Sequence, residues 1–321
     1  ALNTISESSG VFNGLKIVFN EMPEKFDMIL SADNPSYKNL PGIWILIGLG
    51  VWIGHFFYWG FNQYITQRAL GAKSIKEAQK GVMFAAYLKL LMPIVIVLPG
   101  ICAAVLFPVL EKSDQAYPTM MSLLPNGLLG LTFAALIAAI VSSLASMSNS
   151  ISTIFTMDIY RYFQKNDRGQ AHLIKIGRST VVVSLIIATL IAKPLLGSFD
   201  SIFQYIQNFT GYFSPGIVVI FLVALFWKKA TSMSVICAAV ISLAVSIFIS
   251  GSYPDLPFIH RMTIVFLMSA FGCWLVTYIQ GYKDQEKAID LSNIDFSTTK
   301  AFNINTAIVV ITLGLIYVSL A

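Results

Sequence analysis

A lysine set in the middle of an apolar run is the residue best placed to do chemistry in this sequence. Lys89 lies in YLKLLMP, about eight residues, or roughly 12 Å of helix, into a hydrophobic stretch. A charge at that depth costs several kcal/mol unless it meets water or a partner, which makes Lys89 a candidate solute contact. The competing reading is that its long stem reaches back to the interface. His55 stands about twelve residues, roughly 18 Å, into an earlier apolar stretch. That stretch also holds Gly48, Gly50, Gly54 and Gly60, residues that let a helix kink or unwind where backbone lines a cavity. His55 reads either as a histidine bonded to a neighbouring helix or as a solute contact. Tyr58 and Trp59 follow it, an aromatic pair that could plug a pathway or simply pack.

Hydroxyl and amide side chains at membrane depth offer a second kind of chemistry. In FAALIAAIVSSLASMSNSISTIFTM, Ser142, Ser146, Ser150 and Thr153 recur at three or four residues and share one helix face. Small hydroxyl residues at this spacing serve close helix packing. The alternative is a cation site, since adjacent Ser142 and Ser143 offer hydroxyls and a carbonyl near Ala139 adds another hard oxygen suited to Na⁺. Two serines cannot complete such a site, and an unwound helix elsewhere would have to supply the rest. Farther on, FDSIFQYIQNFTGYFSPGIVV carries Gln204, Gln207 and Asn208 ahead of Gly211, Pro215 and Gly216. A mid-helix proline kinks the chain. Amides beside a kink suit a polyhydroxylated solute, or they bond helix to helix.

The elements that must position these residues are membrane spans. The 321 residues are 56% hydrophobic and only 12% charged, against about 25% charged in an ordinary soluble domain, and the mean hydropathy is +0.73. Long apolar runs near 43–66, 81–110, 128–157, 179–198, 199–227, 231–250, 261–281 and 302–321 predict eight spans. Lys and Arg alternate with them. Residues 67–80 carry four, 158–178 five, 228–229 two and 282–301 three, whereas 111–127, 193–200 and 251–261 carry one each. The basic loops therefore belong in the cytoplasm and residues 1–41 outside. The expected division is an external segment 1–41, five core spans over 42–227 and three peripheral spans over 228–321.

Several function classes fall away. The net charge of +5 is scattered through short loops without a dense basic run, so nucleic acid is not the partner. The three cysteines lack CxxC spacing and the three histidines never form HExxH, so neither a zinc site nor a membrane metalloprotease is expected. No nucleophile, base and orienting group meet at membrane depth, so the chain is not read as an enzyme. No acidic residue falls inside a span apart from Asp200 at a span edge. The sequence opens on Ala1 rather than Met, has no signal-peptide pattern, and closes in an apolar run, so both ends read as limits of a larger protein.

Four stretches in a shared order, QRALGAKSIKEAQKG, YLKLLMP, SSLASMSNSISTIFTMDIY and YIQNFTGYFSPGI, resemble the sodium:solute symporter family. Within it they resemble the bacterial sodium/galactose (sodium/glucose) branch. The resemblance covers the whole chain but only the later part of the family's length. It implies an all-α polytopic fold, part of the LeuT-like inverted-repeat core followed by C-terminal helices, in a bacterial inner membrane. It also implies uptake of galactose or glucose with Na⁺ as coupling ion, no other cofactor, and, as the assembly if any, a homodimer. On the matching positions, Lys89 and Gln207 fall where sugar is contacted. Tyr58 falls where an aromatic closes the sugar site, with Trp59 beside it, and Ala139, Ser142 and Ser143 fall on the sodium site. His55 departs from the pattern, where Asn or Thr is expected, which leaves the sugar open. A symporter of the same family for proline, pantothenate or an anion is the nearest alternative; a channel or a membrane sensor is more distant.

Overall fold

The computed structural model describes residues 1–38, 42, 44–164, 168–196, 202–292 and 294–320. Among them every regular element is helical. In chain order these are α1 (Leu2–Ile5), α2 (Val11–Glu21), α3 (Trp44–Ile47), α4 (Leu49–His55), α5 (Gln63–Leu70), α6 (Ile75–Leu90), α7 (Leu98–Leu106) and α8 (Ala116–Met121). There follow α9 (Asn126–Thr153), α10 (Arg161–Phe163), α11 (Gly169–Leu196), α12 (Ile202–Thr210), α13 (Ser214–Phe226), α14 (Ser232–Ser252), α15 (Phe258–Ile279) and α16 (Lys300–Ser319). Wider π-helical turns occupy Phe56–Phe61, Pro93–Val97 and Ile154–Tyr160.

Six of the described helical runs are long and apolar enough to cross a bilayer: Ile75–Leu106, Asn126–Phe163, Gly169–Ala192, Ser232–Ser252, Phe258–Ile279 and Lys300–Ser319. The pair α12 and α13, bent by 42°, brings the number to seven where it is counted as one span. The protein is therefore an all-α polytopic membrane protein. Residues 44–66, within the expected first span, form short helices joined by breaks rather than one long run. Gly48 turns extended (ψ 146°) ahead of α4, and Asn62 is extended (ψ 113°) ahead of α5. Glycine and asparagine are poor helix formers, and hydropathy registers composition without seeing such breaks. Two boundaries also shift. The helix begun by α9 continues to Phe163 and takes in Asp158, and α15 begins at Phe258, so Arg261 is a helix residue rather than a loop charge. Asp200 lies outside the described residues.

The chain forms two compact units. The first comprises Ala1–Glu21 and Ile94–Ile202. Its principal seam joins α9 to α11, where a Cβ on Gly177 would lie 2.6 Å from the Ser152 Oγ and 3.4 Å from the Thr156 Oγ1. Glycine here is what allows the two backbones to approach. Ser150 and Thr156 are buried, whereas Ser142 and Thr153 of the expected packing face are exposed. Elsewhere in the unit α7 buries Ile101, Cys102 and Ala103.

The second unit comprises Met22–Pro93 and Phe203–Ala321. Here α13, α14 and α15 pack on one another around Val219, Ala238 and Cys273. A second cluster, Ile53, Val218 and Met262, draws in Phe57, Phe61, Leu222, Phe258 and Phe266, and so seats α4 and its π turns on α13 and α15. At this seat Gly50 rests on the Ile259 carbonyl of α15, which any Cβ would overlap. Gly50→Val is therefore expected to force the backbones apart at a cost of about 1–3 kcal/mol or more. The check is a lower Tm and less monodisperse protein in detergent for the full-length variant.

On the other side of the same unit, α6 is held by α16. The Ser74 side chain caps α6 by accepting the Glu77 N–H at 3.3 Å. Gln79, Met83 and Tyr87, spaced by four, lie on one face. The Gln79 Nε2 donates to the Ser297 carbonyl at 3.3 Å, the Thr306 hydroxyl meets the Met83 sulfur at 3.5 Å, and the Tyr87 hydroxyl donates to the Asn305 Oδ1 at 2.6 Å.

Candidate functional site

Packing sorts the residues of the first segment. Ile53, Phe57 and Phe61 turn toward α13 and α15, with Phe61 stacked on Phe221 at 4.7 Å and 10°. His55, Tyr58 and Trp59 are left exposed. Tyr58 and Trp59 belong to the π turns Phe56–Phe61, a geometry found disproportionately at functional sites because it re-aims side chains and loosens the carbonyl ladder. The Tyr64 hydroxyl donates to the Tyr58 hydroxyl at 2.7 Å, across the extended Asn62. The Tyr58 and Trp59 rings meet edge to face, 5.1 Å between centres.

Lys89 joins this group. Its Nζ lies 5.0 Å from the centre of the Trp59 ring, within the range of a cation–π contact. The helix explains the aim: Lys89 is about 200° around α6 from Tyr87, whose face is taken by α16. His55 is held by its own helix, its Nδ1 2.7 Å from the Val51 carbonyl. A carbonyl only accepts, so Nδ1 carries a proton in this contact.

The amides sit on α12. Gln207 is exposed, with its carbonyl accepting from the Gly211 N–H at 3.0 Å. No hydrogen bond among the described residues joins its side chain to the Tyr58 group. Asn208 is engaged instead by Arg261 of α15, at 2.5 Å from the guanidinium Nη2 to Oδ1. Arg261 is the residue that reading the sequence misses, since beside Pro257 it passes for a loop charge; an arginine three positions inside an apolar run was the available signal.

The sodium candidates stand in the first unit. Ala139, Ser142 and Ser143 lie on regular helix in α9, all exposed, and the Ser142 carbonyl accepts from the Ser146 hydroxyl at 3.0 Å. Neutral oxygens within one helical turn suit a hard monovalent cation, and further oxygens must come from elsewhere. The structure thus groups Tyr58, Trp59 and Lys89, keeps His55 one turn away on the same segment, and places Gln207 on a separate bent helix.

Comparison with known proteins adds a family to this geometry. The model of the sodium:solute symporter family matches residues 4–242. A sodium/glucose cotransporter of Vibrio parahaemolyticus is 44% identical over 99% of this chain and 61% of its own length. A sodium/myo-inositol cotransporter 2 of Bos taurus is 35% identical over 65% of this chain and 34% of its own. A human sodium/glucose cotransporter 4 is 36% identical over 61% and 32%. The chain thus spans 61% of the Vibrio relative and about a third of the two mammalian ones. Matched by the family model along most of its length, the chain belongs to the sodium:solute symporter family.

Proposed function

We propose that this chain carries solute and sodium contacts of a symporter that takes up a monosaccharide, galactose or glucose, with Na⁺ across a bacterial inner membrane. The observation that carries the reading is Lys89 above Trp59, beside Tyr58. Aromatic faces suit the C–H surface of a sugar ring, and an ammonium donates to its hydroxyls. Gln207 and His55 add amide and imidazole partners. The sodium/glucose name of the Vibrio relative supports sugar over the family's other solutes.

In this reading residues 42–227 are transporter core of the LeuT-like kind, residues 228–321 are trailing helices, and the Lys- and Arg-rich loops face the cytoplasm. Na⁺ is cargo, bound by the Ser142 and Ser143 hydroxyls and the Ala139 carbonyl with oxygens from elsewhere. Coupling requires sodium to bind the outward and inward states unequally, because equal affinity shifts nothing. Tyr58 then moves aside for the sugar to leave. The chemistry lies in binding and release, with no bond made or broken.

The test is uptake of labelled galactose or glucose into proteoliposomes of the full-length protein. Accumulation is expected under an inward sodium gradient and not under potassium, with competition by sugars and none by proline or pantothenate. Uptake indifferent to sodium would overturn the proposal.

A further inference from the structure

Arg261 is a buried charge that the proposed mechanism does not use. It is 4% exposed, inside the apolar helix α15. Its Nη2 donates to two oxygens of one residue, the Asn208 Oδ1 at 2.5 Å and the Asn208 carbonyl at 3.1 Å. Its guanidinium carbon lies 4.2 Å from the centre of the Tyr212 ring. A fully buried guanidinium within a membrane helix is costly, so this arrangement calls for a reason.

The bend between α12 and α13 supplies it. In an unbroken helix the Tyr212 N–H would bond the Asn208 carbonyl. Here it goes to the Phe209 carbonyl at 3.1 Å, while the Gly211 N–H goes to Gln207 at 3.0 Å. The Asn208 carbonyl is thereby released from the ladder at the C-terminal end of α12, where a cation is favoured, and Arg261 takes it. Tyr212 is fixed in turn from α14. Its carbonyl accepts from the Ser246 hydroxyl at 3.2 Å, and its own hydroxyl is bonded to that of Ser250. Three elements therefore meet at one polar knot, and Gln207 is the residue next to it.

We propose that Arg261 is a positioning residue for the solute. By gripping both oxygens of Asn208 it sets the rotation and end point of α12, and so the direction in which Gln207 is presented, about 100° around the helix from Asn208. The inference rests on the reading of Gln207 as a sugar contact. It assigns Arg261 to solute affinity and leaves sodium to the other unit's serines.

The experiment measures KM for sugar, maximal rate and sodium half-saturation in proteoliposomes of full-length wild type, Arg261→Met, Arg261→Lys and Asn208→Ala. Arg261→Met is expected to raise KM for sugar by about tenfold or more, with sodium half-saturation and maximal rate changed by less than about threefold. Arg261→Lys, which keeps one donor for Asn208, recovers most of that loss. Asn208→Ala, which removes Oδ1 but keeps the carbonyl, shows a smaller rise of the same kind. An unchanged KM in Arg261→Met, or a comparable worsening of all three quantities, overturns the proposal. If Arg261→Met does not fold, Asn208→Ala decides it alone by the same criterion. Wild-type protein without sodium-driven uptake overturns the underlying function itself, whereas normal wild-type uptake with a normal variant KM overturns only the role of Arg261.

Discussion

Sodium-driven sugar uptake by the full-length protein is expected to fall about 10–150-fold on Lys89→Ala, the factor corresponding to loss of one charge-assisted hydrogen bond to the solute. The side chain stands over Trp59 and beside the Tyr58–Tyr64 pair, with its opposite helix face taken by α16. Removing it should leave the fold intact, since no hydrogen bond among the described residues runs through its Nζ and alanine favours the helix. Uptake in proteoliposomes, with gel filtration and circular dichroism on the same preparation, checks this. Normal uptake would mean that the ammonium merely rests on an aromatic face on its way to the interface.

The second large effect concerns sodium. Replacing Ser142 and Ser143 together by alanine should raise the sodium concentration for half-maximal uptake by about tenfold or more, roughly 1.4 kcal/mol of lost ion binding. Uptake at saturating sodium should largely persist. Both positions are exposed on regular helix, so alanine creates no cavity there. The same replacement at Thr156, buried where Gly177 of α11 approaches, should lower stability instead. A titration of uptake against sodium at fixed ionic strength separates the outcomes, and an unaltered half-saturation would return the two serines to helix packing.

How much of this was legible in the sequence differs by kind of feature. Long apolar helices are visible because lipid demands a single composition over some twenty residues. The break at Gly48 is foreshadowed by the glycines of that stretch, but the one at Asn62 is not, since an apolar run reads the same whether its backbone is continuous or jointed. Lys89 announces itself by contrast with its neighbours, yet its partner does not. The sequence asks only for water or a partner at that depth, and the structure offers the face of Trp59, thirty positions earlier. Arg261 shows the limit most clearly. Its meaning depends on a carbonyl of Asn208 set free by a bend 53 residues away, and only three dimensions bring the two together.

The hydroxyl bridge from Tyr64 to Tyr58 has a consequence for how freely the aromatic pair can change state. On one side of Asn62 the π turns are anchored by Phe57 and Phe61 in the cluster with α13 and α15. On the other, α5 buries none of its residues. A single hydroxyl–hydroxyl bond contributes a net of about 0.5–1.5 kcal/mol, a bias of at most about tenfold between bridged and unbridged forms. The two sides of Asn62 are therefore held unequally: the π turns by packed aromatic rings, and the Tyr58 hydroxyl by a single bond to α5.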